Sequence, residues 1–166
     1  MSVNENKGSQ AYISLLTDLF LAIKPNKLVN TITQGDITEV DLAKSTMFPL
    51  VHMIIGNASF QSQVIDFDVT IMLMDIVHND DIVASSAINE LYAGDNEIYV
   101  LNSMLNVGNH IMDSFSSGVN RDGNNYINIS EVNAEPFRER FENNLAGWSF
   151  NFSVTTRNNI DRCNTP

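Results

Sequence analysis

Between residues 64 and 77 the side chains alternate without interruption for five pairs. Ile65, Phe67, Val69, Ile71 and Leu73 fall on one side, and Asp66, Asp68, Thr70, Met72 and Met74 on the other. A period of two puts every residue of one set on one face of a β-strand, so this segment belongs to a sheet with one face on a core and the other wet. A second alternation lies near the end of the chain, with Trp148, Phe150, Phe152 and Val154 set against Ser149, Asn151, Ser153 and Thr155. Half-buried strands of this kind suit an antiparallel sheet. The first strand is well beyond the usual length of about 5–6 residues, so a long hairpin projecting past its sheet is expected. Met72 and Met74 then either meet another subunit, since Met packs adaptably at contacts, or lie beneath a helix of the same chain.

Two helices are expected to cover the apolar face. The first runs from a cap at Ser9 to about Lys24, with Tyr12, Leu15, Leu16, Leu19, Phe20 and Ile23 on one stripe and Pro25 as its stop. The second starts at Asp95 or Asn96, has Glu97 at its positive end, and carries Ile98, Leu101, Met104, Leu105, Gly108, Ile111, Met112 and Phe115 until Ser116, Ser117 and Gly118 end it. Residues 28–33 read as a short β-branched strand, Gly35 and Asp36 as a turn, and 37–45 as either strand or loop. Residues 48–55 read as a strand with Pro49 near its start, and 56–63 as the turn into the long strand. Residues 78–94 form a connection with one helical piece over 84–92, where Ala84, Ala87, Ile88 and Leu91 share a face. A strand over 126–129 follows an Asn/Gly turn, and a charged segment from 133 crosses into a turn at Gly147 before the closing strand. The organisation is a mobile arm at 1–9, one α+β domain over 10–157 and a tail at 158–166. The domain is an antiparallel or mixed β-sheet, with its projecting hairpin, packed against two main α-helices.

A chain of 166 residues with 43% hydrophobic content is long enough to bury roughly 70% of its unfolded surface without disulfides. The net charge of -11 opposes binding to nucleic acid or anionic membranes. No Lys or Arg occurs from 45 to 120, whereas Asp66, Asp68, Asp75, Asp80, Asp81, Glu90, Asp95, Glu97 and Asp113 all do. Such a set reads as a solvated acidic face. The one cysteine, Cys163, has no internal partner, so folding does not call for an oxidising compartment. The apolar run over 13–23 contains Thr17 and Asp18 and falls short of the about 20 residues that span a bilayer. A soluble protein made in a cytoplasm is expected.

Residues that could carry chemistry are scattered. There is no phosphate-binding glycine loop. His52, His78 and His110 lie far apart without ligand spacing and read as surface or sheet histidines. The run from Asn120 to Asn125 resembles the middle of a calcium loop, but Gly118 and Ile129 stand where the first and last ligands are required, so it reads as a turn. Asp66 and Asp68 share one strand face without an assigned partner. No catalytic, cofactor-binding or metal-binding residue is assigned, and a non-enzymatic protein is expected.

The order of helix, strands, long hairpin, main helix and closing strands resembles the tail terminator and tail completion proteins of tailed bacteriophages, and the neck-ring proteins that share their fold. The likeness spans Ser9 to Arg157. It rests on the first helix, Phe48-Pro49-Leu50-Val51-His52, the long alternating strand, the helix from Asn96 and the segment over 135–148. The resemblance implies a virion structural protein. It would form a homo-oligomeric ring of six or twelve copies in the neck or tail, stacked against portal, adaptor or other neck rings and tail-tube proteins. Genomic DNA would pass through it non-specifically, no membrane would be involved, and assembly would take place in the host cytoplasm. Part of the acidic set would line the channel. A tail-tube or capsid decoration subunit is the alternative, followed by a small ligand-binding domain or enzyme subunit with no viral role. Expected contacts are the arm at 1–9, the hairpin around 57–63, the connection over 78–94 and the tail after Arg157. Trp148 is expected in the core, where truncation to Ala costs about 3–5 kcal/mol.

Overall fold

Leu15, Leu19, Ala22 and Ile23 recur at helical spacing, and the segment that carries them forms α1 (Ala11–Ile23), with these four buried. The chain turns after Lys24, whose N–H reaches Phe20 O, and Pro25 has no N–H with which to continue. The structure, a computed structural model, describes residues 11–42, 44–78, 95–122, 126–140 and 144–158. The expected arm, the cap at Ser9, the helical piece over 84–92, Cys163 and the tail from residue 159 lie outside the described residues.

Among the described residues, six strands form one mixed sheet, with two helices: β1 (Thr31–Gln34), β2 (Leu50–Phe60), β3 (Val64–Ile76), α2 (Glu97–Asp122), β4 (Tyr126–Ile129), β5 (Asn133–Arg140) and β6 (Asn144–Arg157). The spatial order is β1-β2-β3-β6-β4, and β5 also pairs with β6. β1 runs parallel to β2, and the other pairings are antiparallel. The parallel pair requires a crossover, supplied by residues 35–49 with short 3₁₀ turns at Ile37–Glu39 and Ser45–Met47. β4 lies opposite residues 154–156 of β6, and β5 opposite 144–151. Ser130 joins them: its N–H donates to Ser153 O and its Oγ accepts from Ser153 N. β4 and β5 thus act as one edge strand with a break.

The alternation decides which way each strand faces. Ile65, Phe67, Val69, Ile71 and Leu73 are buried together with Ala146, Phe150, Phe152 and Val154 beneath α1 and α2. α2 contributes Val100, Met104, Val107, Ile111 and Phe115. Gly108 lets it come close, since a Cβ there would stand 2.2 Å from the Phe150 ring. The opposite face carries a second, smaller cluster at one end: Phe48, Leu50, Met74 and Leu145, with Met47, Met72 and Phe137 packed against it. Met74 is therefore an interior residue, covered by the β1–β2 crossover rather than by a helix or another subunit.

Several expectations need correction. β2 does not turn at Gly56 but continues to Phe60 through a bulge between Ile55 and Ala58, leaving only 61–63 for the turn. The hairpin does not run past its sheet, because β6 pairs with β3 from Val64↔Arg157 to Ile76↔Leu145. Gly147 is a strand residue opposite Met74, and a Cβ there would stand 1.9 Å from Leu73 O, so close backbone approach explains this glycine. The charged segment from 133 is itself β5, an edge strand, where Pro136 is tolerated. The first short strand starts at Thr31, with Leu28 exposed. α2 continues past Ser116–Gly118 to Asp122, and its buried stripe centres on Val100 and Val107 while Leu105 faces out. Tyr12 and Phe20 of α1 are also exposed. Trp148 is half-buried, with its Nε1 donating to Leu101 O at 2.8 Å.

Two substitutions test this packing. Replacing Trp148 with Phe removes the bond to Leu101 but keeps an aromatic ring, and should cost about 1 kcal/mol in urea unfolding. Gly108→Val drives methyl groups into the Phe150 ring, with little of the about 1 kcal/mol helical gain that Ala would bring. It should destabilise by about 2–3 kcal/mol, and an unchanged urea midpoint would contradict the close contact.

Candidate functional site

The sheet face opposite the helices is polar over the lower halves of β3 and β6. Three consecutive register pairs, Asp66↔Thr155, Asp68↔Ser153 and Thr70↔Asn151, are each closed by a side-chain hydrogen bond. Thr155 Oγ1 donates to Asp66, Ser153 Oγ donates to Asp68 at 3.2 Å, and Thr70 Oγ1 donates to Asn151 Oδ1 at 2.8 Å. Gln61 Nε2 donates to the other oxygen of Asp66 at 3.1 Å. Cross-strand pairs of this type stabilise a sheet directly. The two carboxylates are thus braced by hydroxyl donors and still face solvent. Glu135 of β5, opposite Ser149, shares this face farther along the strands, and Arg157, opposite Val64, lies at its other end.

The rest of the acidic set does not share this face. Asp75 lies on the helix side, and burial pushes its carboxyl up from the ordinary value. Asp95 Oδ1 accepts from Glu97 N at the start of α2, and Glu97 itself pairs with Arg138 of β5. Asp113 is exposed on α2. Asp80, Asp81 and Glu90 lie outside the described residues. Sheet pleat and helix position separate these carboxylates; Asp66 and Asp68 stand together on the outer face, and Glu135 shares that face at the level of Met72, two strands away.

His52 occupies a different environment. It is fully buried on the outer face of β2, below the crossover from β1. Its Nε2–H donates to Gly35 O at 3.1 Å, and its Nδ1 accepts from Thr33 Oγ1 at 2.8 Å. Both ring nitrogens are satisfied by a neutral imidazole, so this histidine ties the crossover to the sheet. Burial holds its pKa below the ordinary value, against the opposing pull of the Gly35 hydrogen bond and the Asp36 charge. Asp36 is held low by the backbone N–H of Thr38, to which its Oδ1 is hydrogen-bonded. His78 and His110 are exposed and distant from it in sequence. The role of His52 could not be found from its neighbours in sequence, because its partners are Thr33 of β1 and Gly35 just after it, which come beside it only in the folded sheet.

Among the described residues no group of three His, Cys, Asp or Glu side chains is placed to hold a metal ion. No helix among them is long and apolar enough to cross a membrane. No protein-family model matches this chain, and no characterised protein matches it significantly.

The histidine and the half-buried aspartate act on stability in opposite senses. An unfolded His52 takes up a proton near its ordinary pKa of about 6.5, whereas the folded one resists, so the unfolded state binds more protons as the pH drops. The stability that neutral His52 contributes is present above about pH 6.5 and is lost as the pH falls toward its lowered folded pKa. His52→Gln should flatten the loss of thermal stability between neutral and mildly acidic pH. Asp75, with its raised folded pKa, is charged at a cost at neutral pH. Asp75→Asn should therefore raise the melting temperature at pH 7 and leave it nearly unchanged below about pH 4.

Proposed function

We propose that this chain is a non-enzymatic structural subunit of a tailed-phage particle. In this reading it forms a closed homo-oligomeric ring in the neck or tail, as a tail terminator or head–tail connector ring, and genomic DNA passes through its channel. The observation that carries the reading is the outer sheet face. Duplex DNA carries one negative charge per about 1.7 Å of its axis. A channel wall that presents Asp66, Asp68 and Glu135 with hydroxyl and amide side chains between them, and Arg157 as the counter-charge among the described residues of β3 and β6, repels that polyanion and lets it slide. The side chains are braced across the strands, so the wall is firm as well as acidic.

The general α+β layout, a mixed sheet with two helices on one face, supports the same reading, and the tail-terminator-like arrangement belongs to it. Rings in the neck would bring portal, adaptor, other neck-ring and tail-tube proteins as stacking partners, with assembly in the host cytoplasm and final location in the virion.

Negative-stain electron microscopy of the purified protein, alone and with virion neck components, tests the class. Closed rings support the reading, indefinite tubes indicate a tail-tube subunit, and a particle that never leaves the monomer overturns it. The channel wall is tested separately. Wild-type rings should not retain duplex DNA, whereas rings of the Asp66→Lys, Asp68→Lys double variant should retain it at low salt and release it as salt rises. Equal DNA retention by both rings would remove this face from the channel.

A further inference from the structure

Among the described residues two polar side chains are fully buried, His52 and Thr156. Thr156 lies on the helix side of the sheet, where its hydroxyl donates to Ile65 O. His52 lies on the outer face, beneath the crossover between β1 and β2. Its ring nitrogens meet Thr33 of β1 and Gly35, where the crossover begins. Ile37, Val40, Leu42 and Met47 of the crossover pack on the adjoining cluster that contains Phe48, Leu50 and Met74. Leu50 precedes His52 by two residues on the same face, and Met72 stands opposite it in β3. Imidazole and apolar cluster therefore share one cover.

That cover is lightly held. β1 is a strand of 4 residues, paired with β2 in parallel, which is slightly weaker per residue than antiparallel pairing. Neither 3₁₀ turn of the crossover contains a fully buried residue. Gly35 N–H donates to Met53 O at 3.1 Å, and Asn30 Nδ2 to Thr46 O at 2.7 Å. By contrast β3 pairs with β6 over all its 13 residues, above the main core. Units with few buried contacts open by themselves, at far less cost than the whole domain.

We propose that the β1–β2 crossover is an acid-released cover with His52 as its latch: protonation of the imidazole frees residues 35–42 and 44–49 from the outer face while β3 and β6 stay paired. In the closed form Nδ1 already accepts and Nε2–H already donates, so the neutral ring is satisfied. A second proton places a charge where no water reaches it. The Thr33 hydroxyl can turn from donor to acceptor, but the charge then remains out of water. Lifting the crossover alone rehydrates the ring, so proton uptake is linked to this local opening. A closed ring that resists the proton favours the closed form above about pH 6.5, and that preference is lost as the pH falls.

The surrounding charges do not cancel this effect. The crossover carries Asp36, Glu39, Asp41 and Lys44, whereas the facing positions Thr31 and Thr33 of β1 and Thr70, Met72 and Met74 of β3 carry none. Asp36 attracts the added proton, but its carboxylate is exposed and already accepts from Thr38 N, so burial of the ring outweighs it. Opening bares Leu50, Met74 and Leu145, the floor on which the crossover rests. The device acts within one subunit and does not depend on the ring reading.

Hydrogen exchange of the full chain, corrected for the intrinsic pH dependence of amide exchange, reads the opening directly. Between about pH 7 and about pH 5, protection of the crossover amides, Gly35 and Val40 among them, should fall several-fold. The fall should not exceed about thirtyfold, the most that an open-state imidazole of pKa about 6.5 contributes over that range. Protection in β3 and β6 should hold. His52→Gln, which keeps a donor and an acceptor but takes no charge, should abolish the fall. Thr33→Val should lower crossover protection at neutral pH by about fivefold and leave β6 unchanged. In the wild type, the His52 ring resonances should titrate below the ordinary value of about 6.5, a result that decides the matter even where a variant fails to fold. A ring that titrates at or above that value, crossover protection that does not fall, an equal fall in β3, or a fall that persists in His52→Gln would each overturn the latch.

Discussion

The ladder between β3 and β6 is the constraint on which the rest of the structure depends. It runs for the full 13 residues of β3, from Val64↔Arg157 to Ile76↔Leu145, and joins parts of the chain some 70 to 90 residues apart. Closing a connection of that length costs little more than closing a shorter one, because the entropy grows only with its logarithm. Each rung then adds a backbone pairing and a side-chain contact on both faces. The central position of β3 and β6 explains their regularity. Irregularities fall outside them, at the bulge in β2, the break between β4 and β5 and the short β1.

One ladder produces two unlike surfaces. On the helix side its residues are nearly all apolar and buried, Asp75 and Thr156 being polar, and Gly108 lets α2 settle against Phe150. On the other side the same rungs carry Asp66, Asp68, Thr70 and their hydroxyl and amide partners. The pleat keeps the two sets apart, so a surface can be acidic without disturbing the core. At the far end the polar face gives way to Phe48, Leu50, Met74 and Leu145, where the crossover from β1 lies on the sheet and His52 anchors it.

The parts that could be read from sequence are those in which a local period reports burial. The faces of β3 and β6 were legible because alternation has one meaning in a half-buried strand. α1, α2 and the strand Tyr126–Ile129 were legible from stripe, cap and turn. β5 was not, because Asn133-Ala-Glu-Pro-Phe-Arg-Glu-Arg has the charge and proline of an exposed connection. It is a strand only because the edge of β6 is available to pair with it. The second half of β2 was hidden for the same reason, since Gly56, Asn57 and Ser59 are turn residues by composition and strand residues by pairing with β3. The helical stripe of α2 was misjudged by one position at Leu105, where two apolar rows lie side by side and the packing partner chooses between them.

Sequence by itself determined the two alternating strands, the two helices that cover them and the acidic character of the wet face, because each follows from local residue order. Only the tertiary structure decided that β6 accompanies the hairpin to its tip, that Gly147 is a point of close approach and that Met74 is interior. It also decided that His52 is buried between Thr33 and Gly35, and that the acidic residues divide between the sheet face and the helix layer. The physical reason is the same for all of these. They depend on which strand lies beside which, and on what a long-range pairing brings within a few ångströms, neither of which a local period records.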